Sequence, residues 1–162
     1  MQECARLPVN ASCPPLDAVR RASSLIRFGQ VVAGRTDTLY GLLADASDEA
    51  AVRRVFRAKG RPESKPILVL VDSRTQLARL VRGFPPEFAV LARAFWPGPL
   101  TMVLPASDRA SPLVTAGLGT VAVRQPNSPL VRTLARHAGR ALTGTSANLS
   151  GRRGARSADE VV

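Results

Sequence analysis

Histidine, cysteine and aromatic residues are all scarce in this 162-residue chain. His137 is the single histidine, and the two cysteines, Cys4 and Cys13, both lie in the N-terminal stretch. A histidine-based metal site and a Ser-His-Asp triad are therefore nearly excluded, and the cysteines do not resemble a disulfide framework or a zinc motif. Aromatic residues make up 4% of the chain, too few to predict a platform for stacking single-stranded bases.

Long apolar runs are missing as well. No stretch approaches the roughly twenty apolar residues that a membrane-spanning helix needs. The N-terminus carries acidic and polar residues where a signal peptide has its apolar segment. We therefore expect a cytoplasmic protein with no membrane partner.

Positive charge is the main excess. Lys and Arg number 23 against 12 Asp and Glu, which gives a formal net charge of +11. Such a balance suits polyanions or phosphorylated ligands. Because the basic residues are scattered along the chain, a charged surface that simply solvates the protein is an equal alternative.

The apolar pattern predicts strands that alternate with helices in one domain. Predicted strands cover 30–33, 42–44, 67–71, 100–104, 120–124 and 141–143; predicted helices lie at 17–28, 47–59, 86–95 and 128–138, and a further helix begins at Ser73. This order predicts an α/β domain at 16–162 with a single twisted sheet, after a loose leader at 1–15.

The second predicted helix carries a lysine in an unusual place. Ser47 is its expected N-cap, and Val55 and Phe56 belong to its buried stripe. Lys59 follows them by helical spacing, so its ammonium should lie at the edge of the core, facing a cleft. A lysine that only complements the helix dipole is the alternative.

Two other helices are predicted with particular roles for a few side chains each. The 86–95 helix is expected to bury Phe88, Leu91 and Phe95. Ser157 and Glu160 have the spacing of a capping box, which predicts a helix that starts just before the chain stops. Since so short a helix is unstable alone, we expect mobile residues after 151 and a domain that is cut short.

Polar side chains gather after two predicted strands, where α/β proteins usually bind ligands. Short hydroxyls, an aspartate and a glycine follow the first strand at 34–41, although a plain turn has the same composition. Residues 144–151 form a dense set of hydroxyl and amide groups without a Gly-x-Ser-x-Gly elbow.

Basic side chains also occur near strand ends. The loop 60–66 lacks the Gly-Lys-Ser/Thr ending of a Walker A motif, but Arg61 and Lys65 could bind phosphate there. Arg124 lies on the small-residue face of its strand, which indicates a wet cleft unless the side chain only reaches solvent.

Four motifs in this order resemble the YrdC/Sua5 family of threonylcarbamoyl-AMP synthases. They are Thr-Asp-Thr-Leu-Tyr-Gly at 36–41, Lys-Gly-Arg-Pro at 59–62 with Lys-Pro at 65–66, Trp-Pro-Gly-Pro-Leu-Thr at 96–101, and Thr-Ser-Ala-Asn-Leu-Ser-Gly at 145–151. Thr-Val-Ala-Val-Arg at 120–124 falls between the last two. The combination is specific, and the resemblance covers about residues 16–162.

The resemblance implies a YrdC-like domain, a twisted mixed sheet flanked by helices, with a concave basic cleft. It implies a nucleotidyltransferase that joins L-threonine, bicarbonate and ATP into threonylcarbamoyl-adenylate and releases pyrophosphate. Nine residues then become candidates: Lys59 and Arg61 for catalysis; Lys59, Arg61, Lys65, Thr120, Ser146 and Asn148 for the nucleotide; and Thr36, Arg124 and Thr145 for threonine or bicarbonate.

The same resemblance implies cofactors and partners. Mg²⁺ is expected with ATP and held largely by its phosphates, without metal ligands from the protein. A partner complex would transfer the threonylcarbamoyl group to adenosine 37 of tRNAs that read ANN codons. The chain departs from the family at Arg35, where a proline is usual, and in its short C-terminus. Two alternatives stand beside the enzyme: a non-catalytic module that binds double-stranded RNA or tRNA, which the family fold and the net charge of +11 permit, and a degenerate member with a structural role, which these departures suggest.

Overall fold

The computed structural model describes residues 5–161. Within this range six α-helices form: Leu16–Arg27 (α1), Glu49–Lys59 (α2), Arg74–Ala78 (α3), Pro86–Phe95 (α4), Pro112–Thr115 (α5) and Pro129–Ala138 (α6). Seven strands form over the same range: Val32–Arg35 (β1), Tyr40–Leu43 (β2), Val69–Leu70 (β3), Met102–Pro105 (β4), Thr120–Arg124 (β5), Leu142–Thr143 (β6) and Thr145–Ser146 (β7). A 3₁₀ turn follows at Asp159–Val161.

The strands divide over two sheets. One is antiparallel in the order β1-β2-β7, and the other is mixed in the order β4-β5-β3-β6, with β3 and β5 parallel. The α/β class with mixed pairing is thus confirmed, but the sheet predicted to be single is split between β6 and β7. Thr143 joins the two parts, because its buried hydroxyl donates to the Leu42 carbonyl at 2.9 Å and accepts from the Ala44 amide at 3.0 Å.

Two apolar clusters lie on opposite faces of the four-stranded sheet, and the smaller one reaches only β3 and β6 of this sheet. The larger cluster places Val55 and Phe56 of α2 with Val69, Val121 and Val123 of the sheet. The smaller cluster lies between α1, α6 and the opposite face: Val19, Ile26, Leu43, Leu70, Leu130, Leu134 and Leu142. The predicted buried stripes of α1, α2 and α6 are confirmed, as is the alternation along β5.

The first strand lies two residues later than predicted, and the second strand begins two residues earlier. β1 pairs with β2 from Val32 opposite Leu43 to Arg35 opposite Tyr40, so Arg35 belongs to a strand rather than to a turn. The turn is shorter than predicted, because the Thr36 amide donates to the Leu39 carbonyl at 3.0 Å and closes it. The strands predicted at 67–71, 100–104 and 141–143 are present, with shorter or shifted bounds.

Asp48, and not the predicted Ser47, caps the N-terminus of α2. Its carboxylate accepts hydrogen bonds from the amides of Ala50 and Ala51. Ser47 is unavailable for capping because its amide and hydroxyl both donate to Asp45, at 2.8 and 2.6 Å. Ser73 and Ser128 cap α3 and α6 as predicted.

The prediction for the buried face of α4 was wrong at two of three positions. Phe88 is buried, but Leu91 and Phe95 are 38% and 53% exposed. The helix packs instead along Phe88, Ala92 and Trp96, which follow one another by four residues. The rings of Phe88 and Trp96 meet edge to face at 5.7 Å.

The C-terminal segment also differs from its prediction. Ser157 does not cap a helix; instead the Glu160 carboxylate accepts from the Arg156 amide at 2.7 Å, next to the 3₁₀ turn. Ala155 is buried, and its carbonyl accepts from the Tyr40 amide at 2.9 Å. The residues just after 151 therefore run beside the start of β2.

Candidate active site

Lys59 lies at the C-terminal end of α2 with its side chain buried. Its ammonium donates to the carbonyls of Ser146 and Asn148, the latter at 2.8 Å, and to Asn148 Oδ1 at 3.4 Å. These three acceptors use all three of its hydrogens. The segment returns a bond, because the Ser150 amide donates to the Lys59 carbonyl at 2.7 Å. Lys59 thus anchors the 146–150 segment to the helix.

The charge of Lys59 is held in an unfavourable environment. Burial lowers the pKa of its ammonium, and the nearby positive charge of Arg61 lowers it further. Carbonyl dipoles, and no carboxylate of residues 5–161, surround the ammonium. A net positive charge therefore remains at this point of the core edge.

Arg61 and Lys65 lie in the loop that follows α2. Arg61 is half-buried, and its Nη2 donates to the Pro66 carbonyl at 2.8 Å. Its buried Nε has no hydrogen-bond partner among residues 5–161. Lys65 is exposed. The positive charge of Arg61 acts on Lys59, because it helps to lower the pKa of the Lys59 ammonium.

Thr36 forms the turn between β1 and β2. Its hydroxyl donates to the Leu39 carbonyl at 2.6 Å and accepts from the amides of Thr38 and Leu39 at 3.1 and 3.2 Å. The predicted contact of this hydroxyl with substrate therefore competes with bonds inside the turn.

Because Gly41 has no side chain, the candidate residues Thr36 and Thr145 can lie close to its backbone. A Cβ at this position would lie 3.2 Å from the Thr36 methyl group and 3.4 Å from the Thr145 carbonyl oxygen. Across the sheet, Gly41 pairs with Ser146 in β7. The structure therefore brings Thr36, Thr145, Ser146, Asn148 and Lys59 into one group.

Arg124 and Thr120 lie at the two ends of β5 and, among residues 5–161, make no side-chain hydrogen bond to this group. They share a face of the strand but are separated by about 13 Å at the usual rise per residue. Arg124 Nε and Nη2 donate to Thr101 Oγ1 at 3.0 and 2.8 Å. Arg124 pairs in register with Leu70, whose side chain contacts the cluster that also holds Leu43. Arg124 is therefore on the face of the larger sheet where the smaller cluster lies.

A buried carboxylate near this end of β5 escaped the sequence analysis. The Asp72 carboxylate accepts hydrogen bonds from Arg136 Nε and Nη2 at 3.0 and 2.9 Å, and Arg132 Nε lies 3.5 Å from Asp72 Oδ1. The hydrogen bond and the charge of Asp72 both raise the pKa of Arg136. Gln125 donates to the Asp72 carbonyl. This network ties the ends of β3 and β5 to α6, and the residue type alone gave no signal for it.

A cavity of about 170 Å³ lies elsewhere, between α3 and α4. Its walls include Leu77, Phe88 and Trp96, and it contains none of the nine candidate residues.

In the part of the chain that the structure describes, no three His, Cys, Asp or Glu side chains group together to hold a metal ion. None of its helices is both long and apolar enough to cross a membrane.

Comparison with known proteins identifies the family. The profile of Sua5_yciO_yrdC, described as Telomere recombination, matches residues 24–162. The threonylcarbamoyl-AMP synthase of Pyrococcus abyssi is 45% identical over 144 residues, covering 89% of this chain and 42% of that protein. The threonylcarbamoyl-AMP synthase of Halorhodospira halophila is 43% identical over 152 residues, covering 92% of this chain and 80% of that protein.

A solved structure agrees with these sequence matches. The crystal structure of P. abyssi Sua5 complexed with L-threonine superposes with a TM-score of 0.89 at 43% identity, covering 92% of this chain and 44% of that chain. The chain thus spans less than half the length of the P. abyssi protein and most of the length of the H. halophila protein. With most of its residues inside the family profile, the chain belongs to the Sua5/YciO/YrdC family.

Proposed function

We propose that this chain forms the catalytic domain of a threonylcarbamoyl-AMP synthase. It would join L-threonine, bicarbonate and ATP into threonylcarbamoyl-adenylate and release pyrophosphate. The product would supply the modification of adenosine 37 in tRNAs that read ANN codons, through a partner complex that performs the transfer.

One observation carries the proposal. Lys59 and Ser146 are 87 residues apart in sequence, yet the ammonium of one donates to the carbonyl of the other. The two motifs that the family resemblance assigns to the nucleotide therefore meet in one place. The identity to the two synthases and the threonine complex of P. abyssi Sua5 support the same reaction.

The chemistry suits a site built from cations, hydroxyls and amides. The amine of threonine attacks the carbon of bicarbonate, and one carbon–oxygen bond breaks as water leaves, which gives a carbamate. A carbamate oxygen then attacks the α-phosphorus of ATP, and the bond to the β-phosphate oxygen breaks as pyrophosphate leaves with the electron pair. Such a transfer depends on positioning and charge neutralisation more than on a protein nucleophile. Arg61 and Lys65 would neutralise phosphate charge, beside the 146–150 segment that Lys59 holds.

Mg²⁺ is proposed to arrive with ATP. Phosphate oxygens are ligands that Mg²⁺ prefers, and it commonly keeps several waters rather than a full set of protein ligands. The oxygens beside Lys59 already accept hydrogen bonds from its ammonium, so they do not suit the ion. Bound to ATP, the ion would neutralise charge on the phosphates.

Threonine is proposed to bind near the β1–β2 turn and β5. Thr36 and Thr145 line the close approach over Gly41, and Arg124 supplies a guanidinium without a carboxylate partner among residues 5–161. Thr120 is proposed on the nucleotide side. Thr36 would shape the site through its turn, because its hydroxyl donates to Leu39.

A module that binds double-stranded RNA or tRNA without catalysis is the second candidate. Arg35, Arg152, Arg153 and Arg156 are all exposed. Their segments lie near each other, because Tyr40 pairs with Arg35 in the hairpin and donates to the Ala155 carbonyl. These charges would attract an RNA backbone.

Pyrophosphate release separates the two candidates. Purified chain is incubated with Mg-ATP, threonine and bicarbonate, and each substrate is omitted in turn. The enzyme proposal predicts release only when all three are present. Release that ignores threonine would contradict the enzyme proposal, and no release together with tight RNA binding would favour the second candidate.

A further inference from the structure

We propose that Thr101 is a further ligand-binding residue, whose hydroxyl and the guanidinium of Arg124 together bind one anionic oxygen of the substrate. The inference rests on the proposed function and assigns a role to a side chain outside the nine candidates. The anionic oxygen belongs to a carboxylate, as in threonine, or to a phosphate, as in ATP.

The hydrogen bonds of Thr101 leave its own hydrogen uncommitted. Its oxygen accepts two bonds, from Arg124 Nε at 3.0 Å and Nη2 at 2.8 Å. A hydroxyl has two acceptor positions and one donor hydrogen. Both acceptor positions are therefore occupied by the guanidinium, and no acceptor for the hydrogen exists among residues 5–161. Thr36 and Thr143 differ, since their hydroxyls already donate to backbone carbonyls.

The charge of Arg124 is not paired with a carboxylate among residues 5–161. Its partner is a neutral hydroxyl, whereas Arg136, Arg140 and Arg82 each reach an aspartate. A guanidinium has five N–H donors, and Thr101 accepts only two of them. A half-buried cation with free donors, next to a hydroxyl polarised toward donation, is well suited to an anionic oxygen.

Contacts on both sides hold the pair in place. Trp96 Nε1 donates to the Leu100 carbonyl at 2.7 Å, next to Thr101. The Gly98 amide donates to the Gln125 carbonyl at 2.9 Å, next to Arg124. Because both neighbouring residues are fixed, little reorganisation is needed when the ligand binds.

The face that carries the pair is open. Thr101 and Val103 lie on one face of the β4 segment, and Val103 pairs with Ala122 on β5. Val103 is 65% exposed, so no element among residues 5–161 covers this part of the sheet. A ligand can therefore reach the two side chains without displacing protein.

Calorimetry with L-threonine, Mg-ATP and inorganic pyrophosphate tests the proposal. Thr101→Val removes the hydroxyl and keeps the shape, Thr101→Ser keeps the hydroxyl, and Thr75→Val makes the same change on the exposed side of α3. Thr101→Val should weaken binding by about tenfold or more, as expected for the loss of a charge-assisted hydrogen bond. The affinities of Thr101→Ser and Thr75→Val for each probe should stay within about threefold of the affinity of the unchanged protein.

The three probes identify the source of the oxygen. If Thr101→Val weakens only threonine binding, the anionic oxygen belongs to a carboxylate. If it weakens the binding of ATP and pyrophosphate, the oxygen belongs to a phosphate. Unchanged binding of every probe by Thr101→Val overturns the proposal, as does an equal loss in Thr101→Ser or a wild-type protein that binds no probe. If pyrophosphate release fails while these binding differences persist, the proposed function fails and the anion site stands.

A measurement on the unchanged protein guards against a variant that does not fold. The Arg124 Nε–H resonance is followed by NMR as each probe is added. We expect it to shift with the probe whose binding Thr101 affects. A resonance that does not move with any probe at saturation overturns the proposal.

Discussion

The ammonium of Lys59 has three hydrogens, and three oxygens of Ser146 and Asn148 accept them. The family resemblance suggests that this lysine neutralises phosphate directly. Its contacts favour a second role, since it fixes the position of the segment that carries Ser146 and Asn148. The two roles make different predictions for an arginine at this position.

Lys59→Met and Lys59→Arg distinguish charge from anchoring. Arginine keeps the charge, but its planar fork cannot direct three donors to acceptors around one point. If anchoring dominates, both variants should weaken ATP binding by about tenfold or more and speed amide exchange across 144–156. Arg57→Met, an exposed cation of the same helical turn, is the control. ATP binding and exchange that Lys59→Arg leaves unchanged would contradict the anchoring role.

The lowered pKa of Lys59 predicts a pH dependence of defined sign. Between its lowered pKa and the ordinary value of 10.5, Lys59 loses its proton in the folded chain while an unfolded chain keeps it. Since the unfolded state then binds more protons, the contribution of Lys59 to the free energy of unfolding rises with pH in that window. The difference between the unchanged protein and Lys59→Met in urea unfolding should rise accordingly. An NMR titration of the Lys59 side chain with a midpoint at or above 10.5 would rule this out.

At the scale of elements, the junction between β6 and β7 is the feature that splits the sheet. Gly144 occupies it, and a Cβ there would lie 2.7 Å from Leu70 Cγ and 2.9 Å from its Cδ2. Leu70 is buried between the sheet and the α1–α6 layer. The close approach needs a residue without a side chain.

Gly144→Ala should therefore destabilise the chain. Overpacking of this kind raises the free energy of the folded state by about 1–3 kcal/mol. Gly83→Ala is the matched control, because a Cβ at Gly83 meets no atom within 4 Å, and its change should stay within about 0.5 kcal/mol. Urea unfolding compares the two. Equal stability of the two variants would show that the junction relaxes freely.

Sequence predicted the long elements better than the short ones. The helices α1, α2 and α6 show apolar periodicity over several turns, and terminal residues such as Ser128 and Gly60 mark their ends. Strands of two residues have no period to detect, and tertiary pairing sets their bounds. β7 was missed for this reason, because Thr145 and Ser146 are in a strand only through their pairing with β2.

The same limit applies to the candidate site. Helical spacing predicted that Lys59 lies at the core edge, and the structure bears this out. The pattern does not say whether a hydroxyl such as that of Thr36 bonds its own turn or a ligand. Thr101 belongs to the motif at 96–101, but the sequence assigned it no role. Its contact with Arg124 depends on the register between β4 and β5, which the sequence pattern does not give.

At the scale of the whole molecule, the candidate residues form two groups. Lys59, Thr36 and the 145–148 segment form one group, and Arg124 with Thr101 forms the other. The central claim is that these groups hold a nucleotide and threonine together, so that one product contains atoms of both and of bicarbonate.

Mass spectrometry of the product with ¹³C-bicarbonate tests this claim most directly. The chain is incubated with Mg-ATP, threonine and either labelled or ordinary bicarbonate, and the adenylate fraction is collected. We predict threonylcarbamoyl-adenylate whose mass reflects one carbon-13 with the labelled substrate, and its absence when threonine is omitted. An adenylate that lacks the label, or no adenylate at all under conditions where the chain is folded, would contradict the account.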